Sequence, residues 1–390
     1  MSWEISRRDF LDSLLRAGVA ATALYAAGDL WSAADPRLLG KERMIVRSLR
    51  FFDLEMPVEQ IRTWITPLDL FFVRNHVFEP TTFDPKIYRL HVSGEVERPL
   101  ELTLTDLRRM ESAAVVNTLE CAGNGRRFYH PHVPGIQWGR GAVGTARFAG
   151  PRLRDVLNRA GLKSTAKHVA FRGMDEAPGK VPQFIRSIPI QKALDPDTLL
   201  ATHMNSMPLP KHHGRPVRVL VPGWVGAASV KWVTEITVLP QEFEGNFMKP
   251  GYRLPVRPIA PGEDVRPEDT RVITVLNVKS VVARPAEGAR LRMQAVVISG
   301  AAWAGEADVK GVEVSTDGGS TWHPAQFGAE RARYAWRLWH YPWKPQGPGE
   351  YEIRVRATDT RGRTQPERPN WNPSGYLWNG IERVRVTVDK

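Results

Sequence analysis

In KIYRLHVSGEV (86–96) apolar and polar side chains alternate, the period of a strand with one face buried. In PRLRDVLNRAGL (151–162) the apolar residues instead recur at helical spacing. Gly161 falls where that helix should stop, since a residue without Cβ enters the left-handed cap most readily. TLTDLRRME (103–111) opens with Thr103 three residues before Asp106, the spacing of a capping box. RPVRVLVPG (215–223) reads as a strand running into a turn. Short strands and short helices interleave in this way from about residue 40 to 255, which predicts an α+β unit.

A proline-rich passage, RLPVRPIAPGEDVRPEDT (253–270), ends that regime. Beyond it RLRMQAVVISG, GVEVSTDGGSTWHPAQF, YAWRLWHYPW, YEIRVRATDT and IERVRVTV follow one another as strands separated by Gly, Asp and Pro turns. This spacing predicts a β-sandwich of roughly 110 residues. The expected domains are 35–258 and 270–390, preceded by a leader at 1–34.

Composition narrows the chemistry. A chain of 390 residues with 42% hydrophobic and 25% charged residues has enough apolar material for full cores. Its net charge of +12 favours anionic partners. Lys and Arg are spread along the chain without a dense run, so nucleic-acid binding is not expected. A single cysteine excludes an internal disulfide, a Cys-rich zinc site and an iron–sulfur cluster, and no C-x-x-C-H segment offers haem attachment.

The leader carries Arg7 and Arg8 after Ser6, then Phe10, Leu11 and a short Ala-rich apolar run closed by Ser32-Ala33-Ala34. It looks like a twin-arginine export signal cleaved near Ala34, which implies a periplasmic protein folded before export. A short N-terminal helix that stays attached is the alternative. No other stretch reaches the roughly 20 apolar residues of a membrane span, so the mature protein is expected to stay out of the bilayer.

The one thiol, Cys121, lies in NTLECAGNGRRFY (117–129) between glycines 123 and 125 and Arg126–Arg127. A lone cysteine can be a small buried hydrophobe, but adjacent cations favour a thiolate, and a thiolate is a nucleophile or a soft metal ligand. A nucleophile would need a histidine base, with His130, His132 and His213 available, yet no cysteine-hydrolase signature surrounds it. A second cluster, HHGRPVRVLVPGWVGAASVKW (212–232), sets His213, Arg218 and Lys231 around a strand and a glycine-rich loop, a set suited to phosphate or another anion. In DLFFVRNHV (69–77), Arg74 and His76 fall on one face if the segment is extended.

Taken in order, FFVRNH, NTLECAGNGRRF, WGRGAVGTARFAGPRLRDVLNRAGL, FRGMDEA, LDPDTLLATHMNSMPLPKHHGRPVRVLVPGWVGAASVKW and STDGGSTWHPA resemble the sulfite oxidase family of molybdenum enzymes. The resemblance covers nearly the whole mature chain. It implies a mixed α/β molybdopterin-binding domain followed by an immunoglobulin-like dimerisation domain, and hence a homodimer. It makes Cys121 the one protein thiolate on molybdenum, with the other two sulfurs supplied by the pterin. Arg74, Asn75 and His76 match the segment along pterin and metal. Asp175, His213, Arg218, Ser229 and Lys231 match the residues that grip the pterin and its phosphate. Trp138 resembles an aromatic wall of the substrate pocket, and Tyr252 the active-site tyrosine. Arg74 and Arg126, with Tyr252 as donor, would hold the substrate anion.

The implied activity is oxidation of sulfite to sulfate by oxygen-atom transfer, with electrons passed to an external acceptor such as cytochrome c. One position departs from the family pattern: NWNPSGYLWNG has Ser374 where the animal and plant enzymes carry an arginine that completes the anion pocket. Arg127, Arg140 and Arg337 are candidates to replace it, or else the substrate is not free sulfite. Alternatives are a related sulfur-compound dehydrogenase subunit, a methionine-sulfoxide-type reductase, or an exported anion-binding module that is not an enzyme.

Overall fold

The computed structural model describes residues 35–390, so the expected leader at 1–34 lies outside the described residues. Two sheets organise the first half. One runs, in spatial order, Leu100–Thr103, Arg89–Gly94, Val233–Leu239, His168–Gly173 and Ile185–Pro189, with a single parallel pair between Arg89–Gly94 and Val233–Leu239. The other is built on a long antiparallel hairpin, Ser112–Glu120 against Val143–Pro151, in register from Ser112–Pro151 to Glu120–Val143. That hairpin does not turn tightly. Its connection, residues 121–142, carries the lone thiol.

The local signals are realised where the sequence placed them. Arg89–Gly94 forms within the alternating segment, burying Leu90 and Val92. Thr103 Oγ1 accepts the Asp106 N–H at 3.1 Å while the Asp106 carboxylate accepts the Thr103 N–H at 2.9 Å, starting the helix Leu104–Arg109. The helix Leu153–Ala160 buries Leu153, Val156, Leu157 and Ala160 and ends on Gly161 at φ +73°. Each large aliphatic side chain buried there contributes about 1.5–3 kcal/mol. FFVRNH differs: it is irregular, with a single bridge from Val73 to Leu54, so Arg74 and His76 are not set by strand alternation.

The second half is a β-sandwich. One sheet runs Lys279–Arg284, Val296–Trp303, Arg337–Trp343 and Gln326–Phe327. The other runs Ala289–Arg292, Glu382–Asp389, Gly349–Asp359, Val309–Ser315 and His323–Pro324. The strand Lys279–Arg284 is buried on both faces. Val282 and Val278 enter the sandwich core, whereas Val281 and Ala283, with Ala301, Trp303 and Trp336, extend the core of the first half. Alternation of side chains across one strand thus serves two cores at once. Among the described residues no helix is long and apolar enough to cross a membrane.

Candidate active site

Cys121 follows directly on the strand Ser112–Glu120 and is buried. Its N–H donates to the Ala142 carbonyl at 2.9 Å, and its own carbonyl accepts the Asn124 N–H at 2.9 Å, so both ends of the excursion fix the thiol. A cavity opens beside it, lined by Arg74, Asn75, His76, Asp175, His213, Arg218, Ser229, Lys231 and Tyr252 among others. Four separate segments that the sequence singled out therefore meet at one place.

The walls are cationic and short of counter-charge. Arg218 donates to the His213 carbonyl at 3.2 Å and the Ser229 carbonyl at 2.9 Å, while its Nε has no partner. Lys231 Nζ donates to the Asn75 side-chain oxygen and, at 2.9 Å, to the His212 carbonyl. All of these acceptors are neutral. Burial accordingly pulls Arg218 down to about 9, and burial with the Arg218 charge pulls Lys231 down to about 7. His213 is held well below its usual value by burial and by Lys41, Lys231 and Arg218. Asp175 is pushed up to about 6 by burial, with Lys231 pulling the other way, and its Oδ1 is unpartnered. Enclosed cations with only neutral partners are costly unless an anion joins them.

Nearer the thiol, Arg74 pairs with buried Asp53 at 3.2 Å and also reaches the Asn75 carbonyl. Burial raises the Cys121 pKa, opposed first by Arg74 and then by Arg126. The adjacent arginines expected to favour a thiolate thus do not outweigh burial: Arg126 contributes less than Arg74, and Arg127 is exposed over the Phe128 ring. His76 hydrogen-bonds the Tyr252 hydroxyl and stacks on Phe184 with ring centroids 3.9 Å apart. Tyr252 is held at φ +57°, a backbone conformation a bulky side chain adopts only when its surroundings enforce it.

Two expected residues stand back from the cavity. Trp138 is fully buried in the core with its indole N–H unpartnered, and does not line the cavity as an aromatic wall. Arg126 lies behind the Cys121 loop, donating to the Ser374 carbonyl at 2.9 Å and the Ile136 carbonyl at 2.9 Å. An added Cβ at Gly123 or Gly135 would meet its guanidinium within 2.9 Å, which explains the small residues there. Among the candidates to replace the missing arginine, Arg140 is committed to Glu382 at 2.7 Å, and Arg337 lies over Phe327 within the sandwich. None of Arg127, Arg140 and Arg337 lines the cavity. His130 and His132 contact each other, also away from it. Sequence reasoning missed Asp53, Lys41, Arg186 and Tyr376. Lys41 Nζ stands 3.3 Å from His213 Nε2, and nothing local in the sequence marks any of the four.

The residues present suit a metal carried by a large anionic group. No cluster of three or more His, Cys, Asp or Glu among the described residues is able to hold a metal alone, so a metal at Cys121 needs most of its ligands from outside the protein. Arg218 and Lys231, whose hydrogen bonds go only to neutral acceptors, meet the charge of such a group.

The domain described as "Oxidoreductase molybdopterin binding domain" matches residues 76–247, and "Mo-co oxidoreductase dimerisation domain" matches 270–389. The chain is thus built as a molybdopterin oxidoreductase. It is 40% identical over 359 residues to mitochondrial sulfite oxidase of Homo sapiens, covering 88% of this chain and 65% of that enzyme. It is 38% identical over 373 residues to sulfite oxidase of Gallus gallus, covering 92% of this chain and 80% of that one. The sulfane dehydrogenase SoxCD from Paracoccus pantotrophus superposes with a TM-score of 0.77 at 29% identity, over 87% of this chain and 85% of that one. The chain belongs to the sulfite oxidase family of molybdenum enzymes, and its cofactor is molybdenum bound to molybdopterin.

Proposed function

We propose that this protein is a periplasmic sulfite dehydrogenase: it oxidises sulfite to sulfate and passes the electrons to an external acceptor such as cytochrome c. The observation that carries the reading is the cationic cavity closing on Cys121, with the Tyr252 hydroxyl held by His76 above it. Cys121 would ligate the molybdenum, and Arg218, Lys231, His213, Ser229 and Asp175 would hold the pterin and its phosphate. Asn75 joins this set through Lys231. The bound cofactor supplies two-electron oxygen-atom exchange and one-electron return to the acceptor.

The chain's own residues bind and orient the anion. Arg74 brings positive charge to the Cys121 side of the cavity, and Asp53 fixes that guanidinium in place. Tyr252 O–H is the neutral donor, because burial raises its pKa and keeps the phenol protonated. His76 is held neutral by burial and by Arg74, Lys231 and Arg186, so it accepts or donates without adding charge. Arg126 then acts by setting the Cys121 loop. The second domain is read as immunoglobulin-like, its short strand Ala289–Arg292 lying parallel to its last strand, Glu382–Asp389, and as the homodimer interface. The twin-arginine leader supports export.

The test is sulfite-dependent reduction of cytochrome c by the purified mature protein, with Cys121→Ser beside it. Turnover in the wild type and none in the variant is expected; equal turnover in both would end the assignment. A second reading, oxidation of another reduced sulfur compound, is favoured by Ser374 and by the likeness to SoxCD. Thiosulfate assayed alongside sulfite separates the two.

A further inference from the structure

The wall of the Cys121 cavity carries two adjacent histidines, both from the short helical turn Lys211–His213, and the fold gives them partners of opposite sign. His213 Nε2 faces the Lys41 ammonium at 3.3 Å, and burial together with the charges of Lys41, Lys231 and Arg218 holds that ring neutral. His212 Nδ1 instead meets the Glu79 carboxylate at 2.8 Å. Burial would raise the Glu79 carboxyl, but the His212 hydrogen bond and the charges of His212, Lys231 and Lys211 outweigh it and keep the group below the usual carboxylate range. An ionised carboxylate has no proton to give. The proton in that bond therefore sits on Nδ1, and Nε2 is the ring edge that Glu79 leaves for another partner.

A closed circuit of hydrogen bonds ties this pair to the cationic wall. The His212 carbonyl accepts from Lys231 Nζ at 2.9 Å, Lys231 also donates to the Asn75 side-chain oxygen, and Asn75 Nδ2 reaches back to Glu79 at 3.5 Å. The Glu79 side chain is 8% exposed and the imidazole 16%, so His212 stands at the rim between solvent and the cavity it lines. Its ring packs on Phe52 with centroids 4.8 Å apart, and the Arg37 guanidinium lies over the same phenyl. Glu79 is the nearest charge to His212; Lys211, Lys231, Asp35, Arg37 and the neutral His213 complete its titratable surroundings. Among the described residues Nδ1 is bonded to Glu79 and Nε2 to nothing.

We propose that His212 is a further cofactor-holding residue: its Nε2–H donates to the phosphate of the molybdopterin, and Glu79, which grips the other edge of the ring, is its positioning residue. With both nitrogens protonated the imidazolium lies between carboxylate and phosphate, so the Glu79–His212 pair is neutral as a whole and adds a charge-assisted donor beside Arg218 and Lys231 without adding to their mutual repulsion. The assignment rests on the placement of the phosphate at Arg218 and Lys231, and it is independent of which sulfur compound is oxidised.

The test follows the loss of pterin and molybdenum per chain from cofactor-loaded protein during dialysis, for wild type, His212→Asn, His212→Gln and Arg218→Gln. Asparagine sets an amide nitrogen where Nδ1 stood, keeping the Glu79 bond and giving up the Nε2 edge; glutamine sets it where Nε2 stood and gives up Glu79. His212→Asn should release the cofactor about 10- to 100-fold faster than wild type, as for loss of one hydrogen bond to a charged group, and His212→Gln should recover part of that. Nitrogen NMR supplies a second readout. The His212 ring, assigned by its missing signals in His212→Asn, should carry protons on both nitrogens in loaded wild type and on one in loaded Glu79→Gln. Release from His212→Asn at the wild-type rate while Arg218→Gln releases fast overturns the assignment, as does equal loss from the Asn and Gln variants or a loaded wild type whose His212 Nε2 is bare. If His212→Asn and Arg218→Gln both keep the cofactor as wild type does, the phosphate lies elsewhere and the placement itself has failed.

Discussion

Lys231 and Lys41 are both lowered to about 7 by burial, and this fixes how cofactor-free protein should respond to pH. An unfolded chain keeps each lysine protonated up to its ordinary value of 10.5, so between about 7 and 10.5 the unfolded state binds more protons than the folded one. Stability should therefore rise with pH across that window. The penalty is full below it and gone above it. Arg218 acts in the same sense at higher pH, its pKa lying at about 9. The expected result is a higher melting temperature for cofactor-free protein near pH 9 than near pH 7, with Lys231→Met reducing the slope and Lys41 keeping part of it. Loading the cofactor should flatten the slope further, because the phosphate restores the ammonium form. A flat pH profile for the empty protein would show that these amines are solvated. For Cys121→Ser, metal analysis should find most molybdenum lost while the fold persists, since serine preserves the 121–142 geometry but offers no soft ligand. At this scale, residues that carry charge inside a recognisable segment were legible: Arg74, His213, Arg218 and Lys231 all line the cavity. Arg186 was not, because FIRSIPI reads as a half-apolar strand and nothing local tells that its guanidinium is buried.

Among the elements, legibility followed how local the cause was. The capping box and the Gly161 stop depend on contacts three or four residues apart, and both form as written. Thr103→Ala should cost about 1 kcal/mol in denaturant unfolding while leaving molybdenum content unchanged, which separates helix stability from site integrity. The Cys121 connection and the FFVRNH segment depend on partners far along the chain, such as Asp53 and Ala142, so period arguments had no hold on them. The segment carrying Tyr376 is of the same kind. Gly375 stands at φ +58°, and an added Cβ would lie 2.5 Å from Val133 Cγ2 and 2.8 Å from Arg126 Cγ. Gly375→Ala should thus displace Tyr376 as well as strain the turn. It is expected to lower the melting temperature.

Across the whole molecule the two domains are joined at the residue that precedes the thiol. Glu120 is buried, and its carboxylate accepts from Lys279 at 2.9 Å and from Trp303 at 2.7 Å, both in the sandwich, as well as from Asn124 at 2.9 Å within the thiol loop. Strand spacing in the sequence divides the chain into two halves but holds no sign of this junction, since Glu120 and Lys279 are 159 residues apart. A buried ion pair adds little net stability relative to apolar residues of similar volume, but removing one partner strands the other charge, at a cost of about 3–5 kcal/mol. Lys279→Met should therefore melt well below wild type, and because the stranded carboxylate adjoins Cys121, molybdenum content should fall although position 279 lies in the other domain. Adding Glu120→Gln to Lys279→Met removes the stranded charge and keeps acceptors for Trp303 and Asn124. That double variant should regain most of the melting temperature and metal content. If Lys279→Met melts with wild type and holds its molybdenum, the sandwich only packs beside the cofactor domain; recovery in the double variant means that the second domain helps set the geometry of the metal ligand.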